Sequence, residues 1–321
     1  MYPVISKKDS IMKISNYISV AAKGFLMGAA NVIPGVSGGT MAVLTGIFHK
    51  IIACLSCLGD VSTYKLLFTG KFREFWKKID GGFLVALAVG ILVSIFTLAK
   101  VLGYTMSTFP VETWAFFFGL IVASAAVMLF DIKGWKVMDV VLCALGIALG
   151  VGVCMLSPTQ TPDSLWFIAI CGAVGVCSMI LPGISGSFML LVLGKYHYIM
   201  IEAVNNLNLV VLGTFAVGGV IGIIAFAKLL NWILSKWERG TMLILTGFII
   251  GSLVKIWPWS NMYDIAVSQG LAPALEKGQF APVLDPGVLS AIDLHIGGAV
   301  IFALAGLACV ALIEYFSRKS K

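Results

Sequence analysis

This sequence is short of charge. Only 12% of its 321 residues are Asp, Glu, Lys or Arg, against about 25% in soluble globular proteins, and 60% are hydrophobic. That balance excludes a water-soluble globular fold. Histidine is scarcer still, with three copies, and the 15 carboxylates form no acidic cluster within an apolar stretch that could hold Mg²⁺. The basic residues sit between apolar blocks and make no stripe with interleaved aromatics, so nucleic acid is not the partner. Cysteine numbers seven, but Cys54 and Cys57 form an isolated CxxC in an apolar helix with no second pair. All seven are read as small buried apolar residues, and neither metal nor cofactor is expected.

The apolar runs are therefore the informative part. Uninterrupted by charge are 24–49, 81–99, 113–130, 140–162, 164–194, 203–227 and 294–313, with a shorter run at 240–254. A membrane-crossing helix needs about 20 apolar residues, so most of these make one crossing each. Two do not read that simply: 164–194 is interrupted by Pro182-Gly183, and 24–49 by Pro34-Gly35. The 24–49 run also resembles a signal peptide at its start, with Lys7, Lys8 and Lys13 ahead of it and small residues at Gly28, Ala29 and Ala30. Cleavage is not expected, because the segment recurs within the chain.

At an offset of 148, the run from Pro34 to His49 matches that from Pro182 to His197 at seven of 16 positions. At an offset of 128, the run from Ala88 to Leu102 matches that from Ala216 to Leu230 at seven of 15, and the same frame pairs Gly119 with Gly247 and Ser124 with Ser252. Apolar segments generate chance matches, but matches in the same order along the chain point to a duplication.

Charge orients the copies. With the N-terminus, the 50–78 region, Lys133, Lys136, the 228–239 region and the C-terminus placed on one side, that side holds 18 of 22 basic and 8 of 15 acidic residues. By the positive-inside rule it is cytoplasmic. The first Pro-Gly segment then starts and ends inside, whereas three later spans carry the chain outside before the second segment. The expected fold is an all-α polytopic membrane protein of two inverted-topology repeats, each a re-entrant helical hairpin plus three transmembrane helices. The first repeat covers 1–157, with its hairpin at about 14–58 and spans near 81–103, 112–130 and 138–157. The second covers 158–321, with its hairpin at about 164–204 and spans near 208–230, 240–257 and 292–315. Such broken helices in inverted repeats point to a transporter with its site near the midplane. The segment 258–291 has no repeat partner and reads as an external loop or lid. The basic 62–80 segment reads either as an interfacial helix held by anionic lipid or as an orientation signal.

Each Pro-Gly break ends one helix and exposes the first amides of the next, and such amides with their dipole suit an anion. Ser37, Thr40, Ser185 and Ser187 add hydroxyl donors.

The runs Asn31-Val32-Ile33-Pro34-Gly35-Val36-Ser37-Gly38-Gly39-Thr40 and Ser178-Met179-Ile180-Leu181-Pro182-Gly183-Ile184-Ser185-Gly186-Ser187 resemble the bacterial polyprenyl-phosphate transporter family. The resemblance extends over nearly the whole chain. It implies a flippase of the bacterial cytoplasmic (inner) membrane that returns undecaprenyl phosphate, the lipid carrier for envelope polymers such as peptidoglycan, from the outer to the inner leaflet. Both termini are then cytoplasmic, and a phosphate too costly to expose to hydrocarbon would cross in a polar notch while its tail stays in lipid. The candidate substrate-binding residues are Asn31, Gly35, Ser37, Gly38, Gly39, Thr40, Gly183, Ser185, Gly186, Ser187 and Lys195. His49 and His197 are candidates for gating or proton coupling, with H⁺ or Na⁺ as coupling ion. A straight helix from Gly38 would put His49 about 16 Å away, at the inner mouth, with His197 and Lys195 at the outer one. Lys100 and Lys228, matched at span ends, read as snorkelling cations. The alternatives are an ion-coupled carrier for a small soluble anion and a membrane lipid phosphatase, the latter disfavoured because the two histidines fall near opposite faces.

Overall fold

In the computed structural model the chain is helical, with no strand among the described residues, which are 14–32, 37–156, 161–273, 275 and 282–319. The first hairpin consists of α1 (Ile14–Val32), α2 (Gly38–Leu44) and α3 (Phe48–Leu58). Two short helices, α4 (Val61–Phe68) and α5 (Phe72–Lys78), lead to α6 (Gly81–Thr108), α7 (Pro110–Phe130) and α8 (Val137–Cys154). Then follow α9 (Leu165–Ile180), α10 (Gly186–Val192), a π-helical turn at Tyr198–Glu202, α11 (Ala203–Asn205) and α12 (Leu209–Ile256). The chain ends in α13 (Met262–Ser268), α14 (Pro286–Ala291) and α15 (Ile296–Lys319). Four helices, α6, α7, α8 and α12, carry stretches long and apolar enough to cross a membrane, and the bent pair α2 and α3 makes a fifth candidate.

The expected straight helix from Gly38 to His49 is corrected by this structure. α2 stops after seven residues, and α3 leaves it at a bend of 118°. The cause is Gly46, whose φ of +71° closes the helix end in the left-handed region that a side chain disfavours. Thr45, Gly46 and Ile47 donate their amides to the carbonyls of Met41, Val43 and Ala42 at 2.9, 3.0 and 2.9 Å, satisfying the last turn. The same closure recurs 148 residues later: Gly194 has φ +67°, and Leu193, Gly194 and Lys195 donate to Met189, Leu191 and Leu190 at 3.0, 2.9 and 2.9 Å.

A straight helix of α12's 48 residues would be about 72 Å long, more than twice the roughly 30 Å hydrocarbon core. It is interrupted at Trp237, with φ −136° and ψ 50°. The spans expected near 208–230 and 240–257 thus have a single non-helical residue between them and no loop. Phe109, 128 positions earlier, separates α6 from α7 with nearly the same backbone, φ −130° and ψ 58°. A threonine follows each break at the same distance: Thr113 Oγ1 donates to Phe109 O at 2.7 Å, and Thr241 Oγ1 to Trp237 O at 2.8 Å.

The helices group into two compact units. One takes in the chain up to Thr97 together with Leu156–Leu245, and glycines set its helix crossings. A Cβ on Gly90 of α6 would stand 2.0 Å from the Ala21 carbonyl oxygen of α1, and one on Gly218 of α12 2.0 Å from that of Ala169 in α9. A Cβ on Gly24 would likewise stand 2.3 Å from Leu87 O, and one on Gly172 2.1 Å from Phe215 O. Such backbone-to-backbone approach is how helices associate where lipid removes the hydrophobic drive. The other unit, Leu98–Met155 with Thr246–Lys321, uses the same device: a Cβ on Gly119 of α7 would stand 2.0 Å from Ala303 O of α15, and one on Gly247 of α12 2.1 Å from Cys143 O of α8. Within it α13 packs Ile265 and Ala266 among Val111, Ala115 and Ala299, so the first part of the expected external loop is docked on α7.

Candidate functional site

The Pro-Gly motifs meet within the first unit. Pro34 and Gly35 lie outside the described residues; from Ser37 onward the contacts are close. Ser37 is 1% exposed and caps α2 by accepting the Gly39 amide at 3.1 Å, while its hydroxyl donates to Leu181 O at 2.8 Å. Thr40, also 1% exposed, accepts the Gly183 amide on Oγ1 at 3.1 Å. Gly183 sits at φ +87° in the second motif's turn, a conformation glycine takes without a Cβ clash. Gly39 lets the two backbones touch, because a Cβ there would stand 2.1 Å from Ile180 O. The first motif is thereby locked into the second.

This lock changes the donor arrangement expected from sequence. Gly38 does not offer a free amide: it donates to Asn31 Oδ1 at 2.8 Å, and the Gly39 amide is taken by Ser37. The second motif differs. Ser185 is extended at the start of α10 but makes no side-chain cap; it bonds instead to the Ser187 hydroxyl at 2.7 Å. Among the described residues the amides of Gly186 and Ser187 have no acceptor. Local sequence explains the difference, since Ser187 stands where the first motif has Gly39 and competes for the Ser185 hydroxyl.

These open donors border a cavity of about 450 Å³. Its polar lining comes from Asn31, Ser185, Gly186, Ser187 and Tyr196, and its apolar lining from Val176, Met179, Leu190, Met200 and Phe215. Apart from Tyr196 the lining has no ionisable group. Asn31 spends its oxygen on Gly38, which leaves its NH₂ as a donor. The apolar half was not legible from the motifs, although one signal existed: Met179 occupies the position 148 residues after Asn31. Met200 reaches the cavity from the π-helical turn, a local irregularity of the kind that gathers at functional sites.

The remaining sequence candidates lie elsewhere. Lys195, 5% exposed, pairs with Asp163 and donates to Thr161 O at 2.7 Å, while Thr161 Oγ1 donates to Leu193 O at 2.6 Å. It fastens the 161–163 segment to the turn after α10, and its neighbour Tyr196 lines the cavity. His197 is exposed at the start of the π-helical turn. His49 is exposed on α3, edge-on to Phe48 and 3.4 Å from Glu238. Lys228 binds Gly59 O at 2.6 Å and Asp60 at 3.0 Å, tying α12 to the end of α3.

Residues 27–271 match the family model described as undecaprenyl phosphate translocase-like. The chain is 36% identical over 308 residues to a polyprenyl-phosphate transporter of Vibrio cholerae, covering 96% of this chain and 99% of that one. It is 32% identical over 254 residues to a polyprenyl-phosphate transporter of Staphylococcus aureus, covering 74% and 84%. No solved structure matches it.

Proposed function

The chain belongs to the undecaprenyl phosphate translocase-like family, and on that premise we propose that it is a transporter, not an enzyme, returning undecaprenyl phosphate from the outer to the inner leaflet. The single observation that carries the site is the cavity's divided lining. Its donors are the Asn31 NH₂, the Ser187 hydroxyl and the amides of Gly186 and Ser187, grouped for a phosphate. Its apolar side is suited to the first isoprene units, with the rest of the tail in lipid. A small soluble anion would have no use for that apolar side.

Ser37, Gly38, Gly39, Thr40 and Gly183 act in this account as the lock that sets the cavity's shape, and Lys195 holds the adjoining turn. Two inverted repeats, 1–157 and 158–321, with re-entrant hairpins and cytoplasmic termini, are supported by the paired closures at Gly46 and Gly194 and the paired breaks at Phe109 and Trp237. Their locked and open motifs are then one arrangement of a pair that exchanges roles during transport, driven by H⁺ or Na⁺. His49 at Glu238 gates the inner side, and His197 serves the outer.

Binding tests the assignment. Undecaprenyl phosphate and a short-chain prenyl phosphate should compete for the purified protein, with inorganic phosphate at least tenfold weaker. Equal competition by inorganic phosphate would replace the lipid with a soluble anion, and release of phosphate from the lipid would replace transport with hydrolysis.

A further inference from the structure

The sequence matches change register between the hairpins and the first spans. Up to His49 and His197 the offset is 148, and from Ala88 and Ala216 it is 128, so the first half carries 20 residues that the second lacks. The structure shows where they are. Asp60 and Asn208 stand 148 apart and each receives an amide three residues on, Thr63 to Asp60 O at 2.9 Å and Val211 to Asn208 Oδ1 at 3.2 Å. After Asn208 the chain enters α12 at once; after Asp60 it first makes α4 and α5.

This added helical pair leaves five large apolar residues uncovered, while Leu66, Leu67 and Phe75 are half-buried. Val61 and Phe68 are each 85% exposed, and Tyr64 between them 39%, at the i, i+3, i+7 spacing of one helix face. On α5, Phe72 and Trp76, four residues apart, are 65% and 49% exposed. Cations flank both rows: Lys65, Lys71, Arg73, Lys77 and Lys78, against one acidic residue, Glu74. Glu74 pairs with Lys71, and neither Lys65 nor Arg73 has a side-chain partner among the described residues. The pair is nevertheless fixed to its hairpin. Thr63, fully buried, donates to Cys57 O at 2.7 Å, Lys78 to Ser62 at 2.7 Å, and Lys50 of α3 meets Asp80 at 2.7 Å.

We propose that α4 and α5 form an interfacial foot that seats the first hairpin on the anionic phospholipid surface of its leaflet. Uncovered aromatics beside a net excess of cations are the chemistry of helices that lie at an acidic bilayer surface, apolar rows in the acyl boundary and cations among head groups. The foot rests on the membrane-spanning architecture and not on the identity of the transported lipid.

Hydrogen exchange of the full chain in nanodiscs tests it. Amides of 61–78 should be protected at least fivefold more in discs containing phosphatidylglycerol than in phosphatidylcholine alone, and 0.5 M salt should remove the difference. Replacing one cation should cost about fivefold in docking, so Lys65→Glu with Arg73→Glu should abolish the phosphatidylglycerol effect. Unchanged protection of α6 amides in that variant certifies its fold; if α6 is also lost, Lys65→Gln with Arg73→Gln takes its place. Equal exchange in both lipids, or protection that persists in the folded double variant, overturns the proposal. A soluble partner in place of lipid would show as protection gained only on adding cytosol, and would overturn it equally.

Discussion

Gly39→Ala is the sharpest perturbation of the lock between the motifs. The new Cβ would stand 2.1 Å from Ile180 O and 2.8 Å from Ile180 C, both backbone atoms that cannot rotate away. The strands of chain must separate, and with them go the bonds from Ser37 to Leu181 O and from Gly183 to Thr40. Overpacking costs about 1–3 kcal/mol and each lost buried hydrogen bond about 1 kcal/mol, so the variant should lose about 3–5 kcal/mol. At roughly 2 °C per kcal/mol for a chain of this size, the thermal midpoint of the detergent-solubilised protein should fall about 6–10 °C. Gly152→Ala is the control, because nothing lies within 4 Å of its added Cβ. There the gain in helix propensity should hold the midpoint or raise it slightly. A Gly39→Ala protein melting with wild type would refute the close crossing and the lock built on it.

Further consequences follow from the same contacts. Gly90→Leu and Gly218→Leu should destabilise by similar amounts, about 3 kcal/mol or more, since each drives a side chain into a carbonyl oxygen 2.0 Å from its Cβ; a large difference in their thermal midpoints would break the equivalence of the two crossings. Asp163→Asn should destabilise more than Lys195→Met, about 1–2 against under about 1 kcal/mol after discounting for the 67% exposed Asp163, because only the first strands a buried cation. Denaturation with a flux assay separates this from a phosphate ligand: Lys195→Met, stable and fully inactive, would return Lys195 to the substrate. Ser187→Ala should reduce transport about tenfold at wild-type stability, whereas Ser37→Ala should cost stability by about 1 kcal/mol first.

Composition and periodicity carried the coarse architecture, because exclusion of charge from spans is a property of single residues. The offsets of 148 and 128 located elements that the structure forms alike at Gly46 and Gly194, and at Phe109 and Trp237. What escaped was tertiary in origin. That α2 ends at Leu44 depends on Gly46 taking φ +71°, and a glycine within an apolar run does not announce its sign of φ. Equal motifs suggested equal sites, yet two residues, Ser187 in place of Gly39 and Met179 in place of Asn31, separate an open donor set from a capped one. Lys195 looked like a free cation at a mouth because its partners, Asp163 and Thr161, are more than 30 residues away.

In the proposed transport cycle the phosphate of a polyprenyl phosphate occupies the cavity beside Asn31, Ser185 and Ser187 as it crosses. Leaflet-selective measurement of undecaprenyl phosphate in proteoliposomes, comparing wild type with Asn31→Asp, tests it most directly. The aspartate keeps an oxygen to accept the Gly38 amide but sets a negative charge against the phosphate. Wild type should move the lipid rapidly, and the variant, still folded, should lose at least tenfold. Movement in wild type no faster than in empty liposomes, or full flux in Asn31→Asp, would contradict it.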